Sequence, residues 1–508
     1  MIIRDDISQV LIGGKSAILI NPPIYDTQYW AYWSQPHGLL KVATWLREHG
    51  YQNLRLIDCL ATDRKRRVRK RLKRVVERDN IKKRLYEYGM SLSELEHHLR
   101  NTFRPDEIWI TSLMTYWWES TRDVINVVKR VYPEHTPRVL VGGIYPTLAP
   151  EHANANLGKD ADIEVHVVDG EICDGAANAW TDLSLYQNDE LYETKPRYAL
   201  ITGSRRCPFN CAYCAQLKLN HGNQRVANRD PENIAAEIKE KYEKFGVREF
   251  AFYEDNLLLN KSSFLERLGE IRKLGYKIEI YAPEGIEPRL VELDLLKQMR
   301  ATGFRKLHLA LETIDNEIAR SWNRKQATIE KFERAVQVAN EAGWTLGSQD
   351  LNAFVIFGIP DEDIQAVVNT ALYASDRVGS VIPMLFTPVP GSILFQQHEN
   401  YLFSPRSLDG QRWDLHDLNG KLLPFLEYNR QKYPWLRASH YLNLESFMMH
   451  LNNSKVQRRP FNFAADNRIA KSFRSTLSSN VPTASIPVNI PVTIEANVKI
   501  AAVAGSSE

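Results

Sequence analysis

The chain reads as an α/β protein of two successive units, a parallel-sheet domain followed by a six-fold partial barrel, with a less regular extension behind them. Three observations predict this. Short, continuously apolar runs alternate with helical patterns over the first 185 residues, a second strand-helix alternation repeats six times between Arg197 and Thr387, and the alternation fades after Tyr401.

In the first unit, Ala17 to Ile20 is a buried strand, and Gly38 to His49 is a helix with Leu39, Leu40, Ala43 and Leu46 on one side. Asn53 to Asp58, Ile108 to Ser112, Arg138 to Val141 and Ile163 to Val168 supply further strands, with a helix across Thr121 to Tyr132. Strands that are apolar throughout belong to a sheet covered on both faces, and such sheets bind ligands beyond their carboxyl ends. The expected binding edge is Asn21-Pro22-Pro23, Asp58, Ser112-Leu113-Met114 and Gly142-Gly143. A turn made of glycines lets a ligand approach the backbone closely. This domain is expected over 14–185.

A basic insertion interrupts it at about 62–100. From Arg64 to Arg84 there are thirteen Lys/Arg against Glu77 and Asp79, a net of +11 in a chain whose total is +3. Val68, Leu72, Val75 and Val76 recur at helical spacing, which predicts a cationic helix laid along the domain. RNA, an anionic lipid or an acidic protein are the alternative partners of such a helix, and nucleic acid is the less expected.

The second unit is expected over 192–400. Its strands are Arg197 to Thr202, Glu249 to Tyr253, Lys277 to Ala282, Lys306 to Leu311, Leu351 to Phe357 and Val381 to Thr387, with helices between them. Parallel repeats of roughly 30 residues suit an incomplete version of the eight-fold barrel, which carries its chemistry at the carboxyl-end face. The segment 401–471 is expected as an irregular helical extension, its Trp413 and Trp435 shaping the barrel mouth, and 472–508 as a mobile tail.

Composition sets the remaining bounds. The 508 residues are 44% hydrophobic and 25% charged, which excludes a wholly disordered chain. No run approaches the roughly 18 apolar residues of a membrane span, and the start lacks the order of a signal peptide, so a cytoplasmic location is expected. Only five Cys occur, too few for a disulfide scaffold, yet Cys207, Cys211 and Cys214 fall on one loop directly after the first barrel strand.

Three thiolates so spaced converge on zinc or an iron-sulfur cluster. Structural zinc requires a fourth protein ligand, and Cys59 and Cys173 are isolated; His221 is the one further candidate. A three-thiolate cluster leaves one iron open, which a catalytic centre needs and a closed electron carrier does not.

Cys-x-x-x-Cys-x-aromatic-Cys after the first strand of a partial barrel resembles the radical S-adenosylmethionine (radical SAM) superfamily, and the N-terminal half is similar to its class with a flavodoxin-like (Rossmann-like) cobalamin-binding domain. The resemblance covers residues 15 to 400 or so and rests also on Phe250-Ala-Phe-Tyr-Glu-Asp-Asn256, Leu309-Ala-Leu-Glu-Thr313, Phe354-Val-Ile-Phe-Gly-Ile-Pro360 and Pro388-Val-Pro-Gly391. It implies a [4Fe-4S] cluster on Cys207, Cys211 and Cys214 whose free iron takes S-adenosylmethionine, and a 5′-deoxyadenosyl radical. It further implies Tyr213 against the adenine, the Glu254-Asp255-Asn256 turn at the methionyl amino group, Glu312 on the ribose or carboxylate side, and Gly358 and Ile359 lining the adenine pocket. The plainer alternatives are a helix cap for Asp255 and Asn256, and an ordinary strand-to-helix turn for Gly358 to Pro360.

For cobalamin, the resemblance rests on Ser112-Leu113-Met114, Val141-Gly142-Gly143 and Asp169-Gly170-Glu171. It implies contacts at Ser112, Gly142, Gly143 and Gly170. The class's loop carrying a lower-face His is replaced by Asn21-Pro-Pro-Ile-Tyr25; His37 lies in the same loop, as a cobalt ligand or, more commonly for such a position, as a solvent-exposed imidazole. The implied activity is methyl transfer to an unactivated centre of a small molecule, with a reductant such as flavodoxin or ferredoxin as partner. A radical cyclase or rearrangement enzyme without methyl transfer or without cobalamin, and an iron-sulfur electron-transfer or binding protein, are the alternatives.

Overall fold

The computed structural model describes residues 16–457 apart from 30–31, 64–65, 173–178, 188, 193–194, 346–348 and 405–411. The expected tail at 472–508 and Cys173 therefore lie outside the described residues.

The N-terminal domain contains β1 (Ser16–Asn21), β2 (Ile24–Asp26), β3 (Asn53–Asp58), β4 (Lys70–Arg78), β5 (Ile81–Tyr88), β6 (Glu107–Thr111), β7 (Arg138–Gly142) and β8 (Val165–Val167). Five of these form one sheet in the order β3-β1-β6-β7-β8, every pair parallel. That is the flavodoxin-like order, in which the chain turns back between β1 and β6 and opens a crevice at their carboxyl ends. Ala17 to Ile20 and Val139 to Val141 are buried, because helices cover both faces; the helix His37–Glu48 turns Leu39, Leu40, Ala43 and Leu46 inward as its period requires.

The basic insertion departs from the sequence reading. Instead of a helix, β4 and β5 form an antiparallel ribbon, with β2 added along β5. Asp79 and Asn80 both adopt positive φ, 50° and 62°, the conformation a two-residue hairpin turn needs and short polar side chains tolerate. Leu72 and Val75, half of the stripe that suggested a helix, remain 58% and 51% exposed. The cations hold the ribbon down instead: Arg74 pairs with Glu119 at 2.8 Å, Lys73 with Asp123 at 3.3 Å and Arg78 with Asp417 at 2.9 Å. Only the end of the insertion is helical, Leu92–Arg100, started by a capping box between Ser91 and Glu94.

The barrel contains β9 (Tyr198–Ile201), the short hairpin β10 (Ser204–Arg205) with β11 (Ala227–Asn228), then β12 (Glu249–Phe252), β13 (Glu279–Tyr281), β14 (Leu307–Glu312), β15 (Leu351–Phe357) and β16 (Ser380–Leu385). The six long strands run parallel in two arcs, β13-β12-β9 and β14-β15-β16, joined by parallel bridges Ile280–Phe304 and Ile286–Leu309. Phe250, Phe252, Leu307, Leu309, Ala353 and Val355 face the outer helices and are buried. The alternate positions face the barrel interior.

The extension packs along the second arc, and its Asn429 bonds Ile359 O and Asp361 N just past the carboxyl end of β15, at 2.9 and 2.8 Å. Its helix Ala438–Val456 packs on β16, where the Asn452 amide satisfies the N–H and C=O of Val381 at 2.8 and 2.7 Å and so closes that strand's open edge. It also reaches the N-terminal domain: Asn419 donates to Asp26 at 2.8 Å, Asp414 bonds His152 at 2.7 Å, and Asp79 accepts the N–H of Ala438 at 2.8 Å. Trp413 lies under the Arg78 guanidinium and Trp435 against His440. Among the described residues no helix is long and apolar enough to cross a membrane.

Candidate active site

The three cysteines sit on the loop that follows β10, at the carboxyl-end face of the barrel, and all three are partly exposed free thiols. The loop is tied to neighbouring segments by backbone bonds. Ala212 donates to Trp322 O and accepts from Leu394 N, each at 2.9 Å, and the Asn323 amide donates to Asn210 O at 3.0 Å. Burial pushes all three thiols upward, Cys214 to about 12. Among the described residues no three His, Cys, Asp or Glu groups gather around one metal ion. His221 stands 3.6 Å from Asp169 instead. Three thiols on one loop fit a multi-iron cluster, whose thiolates bind different irons.

The residues after β12 divide by role. The Glu254 carboxylate does not reach the cysteine loop: with no exposure, it pairs with the equally buried Arg267 and accepts from Gly203 N at 3.1 Å and from the Ser204 hydroxyl. A Cβ at Gly203 would collide with that guanidinium, which accounts for the glycine. Asp255 holds the loop at both ends. It accepts from Arg205 at 2.7 Å, from the N–H of Arg206 at 2.5 Å and from the Gln216 amide, bracketing the three thiols. The Asn256 amide lies 3.9 Å from Cys207 Sγ, within reach as a donor to a thiolate.

On the opposite arc, Glu312 ends β14 with φ +66°, after a register shift against β15 between Ala310 and Glu312. Such irregularities re-aim a side chain at functional positions. Burial raises its carboxyl to about 7 against the opposing pull of Arg324. Arg324 is the residue sequence reasoning missed. Buried, it donates to the Tyr213 hydroxyl and to Ala310 O, both at 2.8 Å, and lies 3.9 Å from Glu312 and 3.5 Å from Glu287. A lone arginine after a short helix carries no periodic or motif signal. Glu312, Trp322, Ile356 and Ile359 line a cavity of about 220 Å³ at the carboxyl ends of β14 and β15.

Gly358 takes φ +82° and donates its N–H to both oxygens of Glu362, at 2.8 and 2.9 Å; Glu362 is a second residue the sequence reading passed over. Burial raises Glu362 to about 8 despite those bonds. With a folded value above the usual carboxylate range, the native state holds the extra proton, so stability falls as pH rises through about 4.5 to about 8. Glu362→Gln is expected to flatten that decline, measured as the change in urea midpoint between the two ends of that range.

At the edge of the N-terminal sheet, Gly143 has φ +112°, and a Cβ there would stand 2.5 Å from Ser112 O. The fold alone therefore requires glycine at this position. Gly143→Ala is expected to cost about 2 kcal/mol in denaturant unfolding whether or not a ligand is supplied. The Ser112 hydroxyl bonds Thr121 at 2.8 Å, Gly142 packs on Val168, and Gly170 donates to Thr147 at 3.1 Å with its open side against His221. Beside them Leu113 and Met114 are 37% and 42% exposed, an apolar shelf next to the crevice. His37 is not solvent-facing: its Nε2 is bonded to Thr202 at 2.6 Å across the domain boundary, its Nδ1 has no hydrogen-bond partner among the described residues, and burial holds the imidazole well below its usual range. The larger cavity beside Asp58 and Tyr198, about 610 Å³, lies at the amino-end start of β9, away from the thiols.

Residues 201–374 match the radical SAM superfamily. The chain carries a radical SAM domain. That domain holds the thiols, Asp255, Glu312, Arg324, Gly358 and Glu362. An uncharacterised methyltransferase of Pyrococcus horikoshii is 25% identical over 200 residues, 39% of this chain and 41% of its own length, so the chain spans less than half of that relative. The cytidylyl-2-hydroxyethylphosphonate methyltransferase of Streptomyces wedmorensis is 19% identical over 464 residues, covering 77% of this chain and 81% of its own. The solved structure of the radical SAM methyltransferase TsrM from Kitasatospora setae, with cobalamin and a [4Fe-4S] cluster bound, superposes with a TM-score of 0.56 at 14% identity, over 78% of this chain and 80% of that one. The likeness extends the shared fold beyond the radical SAM domain into the N-terminal sheet.

Proposed function

We propose that this protein is a radical SAM enzyme that binds a [4Fe-4S] cluster through Cys207, Cys211 and Cys214 and transfers a methyl group, with the help of cobalamin, to an unactivated centre of a small molecule. The observation that carries the reading is a loop of three thiols, fastened at both ends by Asp255, at the carboxyl-end face of a radical SAM barrel. Held by these three thiolates, a cluster would supply the electron, drawn from a reductant such as flavodoxin or ferredoxin, for reductive cleavage of S-adenosylmethionine.

The chain's own residues prepare the site. Cluster loading displaces the protons that burial holds on the thiols. Asp255 fixes the loop, Asn256 offers a donor to Cys207, and Arg324 braces Tyr213 beside Glu312. The cavity at Ile359 and Glu312 is smaller than an ordinary whole-ligand pocket, and suits one ring system, the adenine in this reading. Gly358 contributes its backbone through the bond to Glu362. Cobalamin fits the apolar shelf of Leu113 and Met114 at the switch point of the N-terminal sheet, beside the backbone of Ser112, Gly142, Gly143 and Gly170. With His37 engaged by Thr202, His221 is a described imidazole beside that edge, against the open side of Gly170.

The test is anaerobic reconstitution with iron, sulfide and cobalamin, followed by reduction in the presence of S-adenosylmethionine. Formation of both 5′-deoxyadenosine and S-adenosylhomocysteine supports the reading. 5′-Deoxyadenosine alone, with cobalt per chain near zero, moves the protein to radical cyclisation or rearrangement. Neither product would leave an iron-sulfur binding or electron-transfer protein.

A further inference from the structure

The carboxylates just past the carboxyl ends of β12, β13 and β14 are matched almost one for one by arginines. Glu254 has Arg267, Asp255 has Arg205 at 2.7 Å, and Glu287 and Glu312 share Arg324 at 3.5 and 3.9 Å. Glu284 is the exception. Among the described residues, no cation and no hydrogen-bond donor reaches its carboxylate, although it stands on the turn directly after β13, on the same carboxyl-end face.

That turn crosses the interior. Gly285, with φ +88°, has its open side 2.9 Å from the Phe354 ring and 3.9 Å from Ala310 Cβ, and both are interior-facing positions of β15 and β14. Ile286 then bridges to Leu309, which fixes the turn against β14. Phe354 is stacked in turn by His308, with ring centres 5.6 Å apart. The strand order places β12, which bears Asp255, between β9, which leads to the thiols, and β13, which bears Glu284. β12 and its Asp255 thus stand between Glu284 and the cysteine loop, with Asp255 close enough for its charge to act on Glu284. The Glu284 side chain is exposed rather than packed away.

An unpaired carboxylate selects one chemistry. Cations gain from its charge, whereas an anion meets Asp255 as well as Glu284. We infer that Glu284 anchors the substrate by pairing with a protonated nitrogen that the small molecule presents at the barrel mouth. This deepens the proposed function and rests on it. The substrate class is then an amine, a guanidine or a basic heterocycle, and Glu284 is a specificity-determining residue.

The probe is phenethylamine, compared with phenethyl alcohol and phenylacetate, in ligand-observed NMR against the reconstituted full-length protein with S-adenosylmethionine present. Phenethylamine is expected to bind and the other two to bind at least about tenfold more weakly. Glu284→Gln is expected to weaken the amine about tenfold while keeping the cluster absorbance, and Glu284→Asp to bind it more tightly than Glu284→Gln does. Failure of phenethylamine to bind, equal binding of all three probes, or unchanged amine affinity in Glu284→Gln overturns the inference. So does a loss confined to S-adenosylmethionine affinity, which would assign Glu284 to that molecule's own ammonium. Formation of 5′-deoxyadenosine by the wild-type preparation is scored separately, so that failure of radical chemistry is not mistaken for failure of the anchor.

Discussion

Cys211→Ala is expected to abolish the brown absorbance of the reconstituted protein and to lower 5′-deoxyadenosine formation by more than about a thousandfold. The thiol is the middle one of the three and lies on a loop anchored on both sides, so no neighbouring residue can swing in to replace it. Cys59→Ala is the control. Cys59 is buried in the N-terminal domain, with its carbonyl accepting the N–H of Met90 at 2.8 Å, and burial holds its thiol well above the usual range. Its loss leaves the cluster intact. A Cys211→Ala protein with a full complement of iron and sulfide would remove the ligand assignment, and with it the proposed function.

Arg267→Met is expected to cost about 3–5 kcal/mol in urea unfolding of the barrel. Both members of the Arg267–Glu254 pair are buried, with side-chain exposures of 1% and 0%. Removing the cation strands a carboxylate that cannot reach water. The double variant Arg267→Met/Glu254→Gln is expected to recover much of the loss, because it removes the uncompensated charge while the amide can still accept from Gly203 N. Iron loading should fall in the single variant as well, since Glu254 holds Gly203 and Ser204 at the root of the cysteine loop. Equal stability of wild type and Arg267→Met would show that the pair contributes nothing net.

Much of the architecture was legible in the chain. The six barrel strands announce themselves as apolar runs at a regular interval, and Leu39, Leu40, Ala43 and Leu46 give one face of a helix without ambiguity. The ribbon was not legible, because Val68, Leu72, Val75 and Val76 satisfy a helical period by position alone. What decides the matter is the turn at Asp79-Asn80 and the acidic partners Glu119, Asp123 and Asp417, two of them over forty residues away and one in the extension. At the site, the thiols were legible from spacing, whereas Arg324 and the division of labour between Glu254 and Asp255 were not. Adjacent residues in a strand-end turn point in opposite directions, so Glu254 enters the packed wall and Asp255 the mouth.

The contacts of the extension bear on how the protein is made. Asp414, Asp417, Asn419 and Ala438, which grip the N-terminal domain, all follow both domains along the chain. A ribosome releases the two sheets before their clasp. The N-terminal domain and the barrel can therefore each fold as they emerge, but these bonds between them form only once the extension has followed them out.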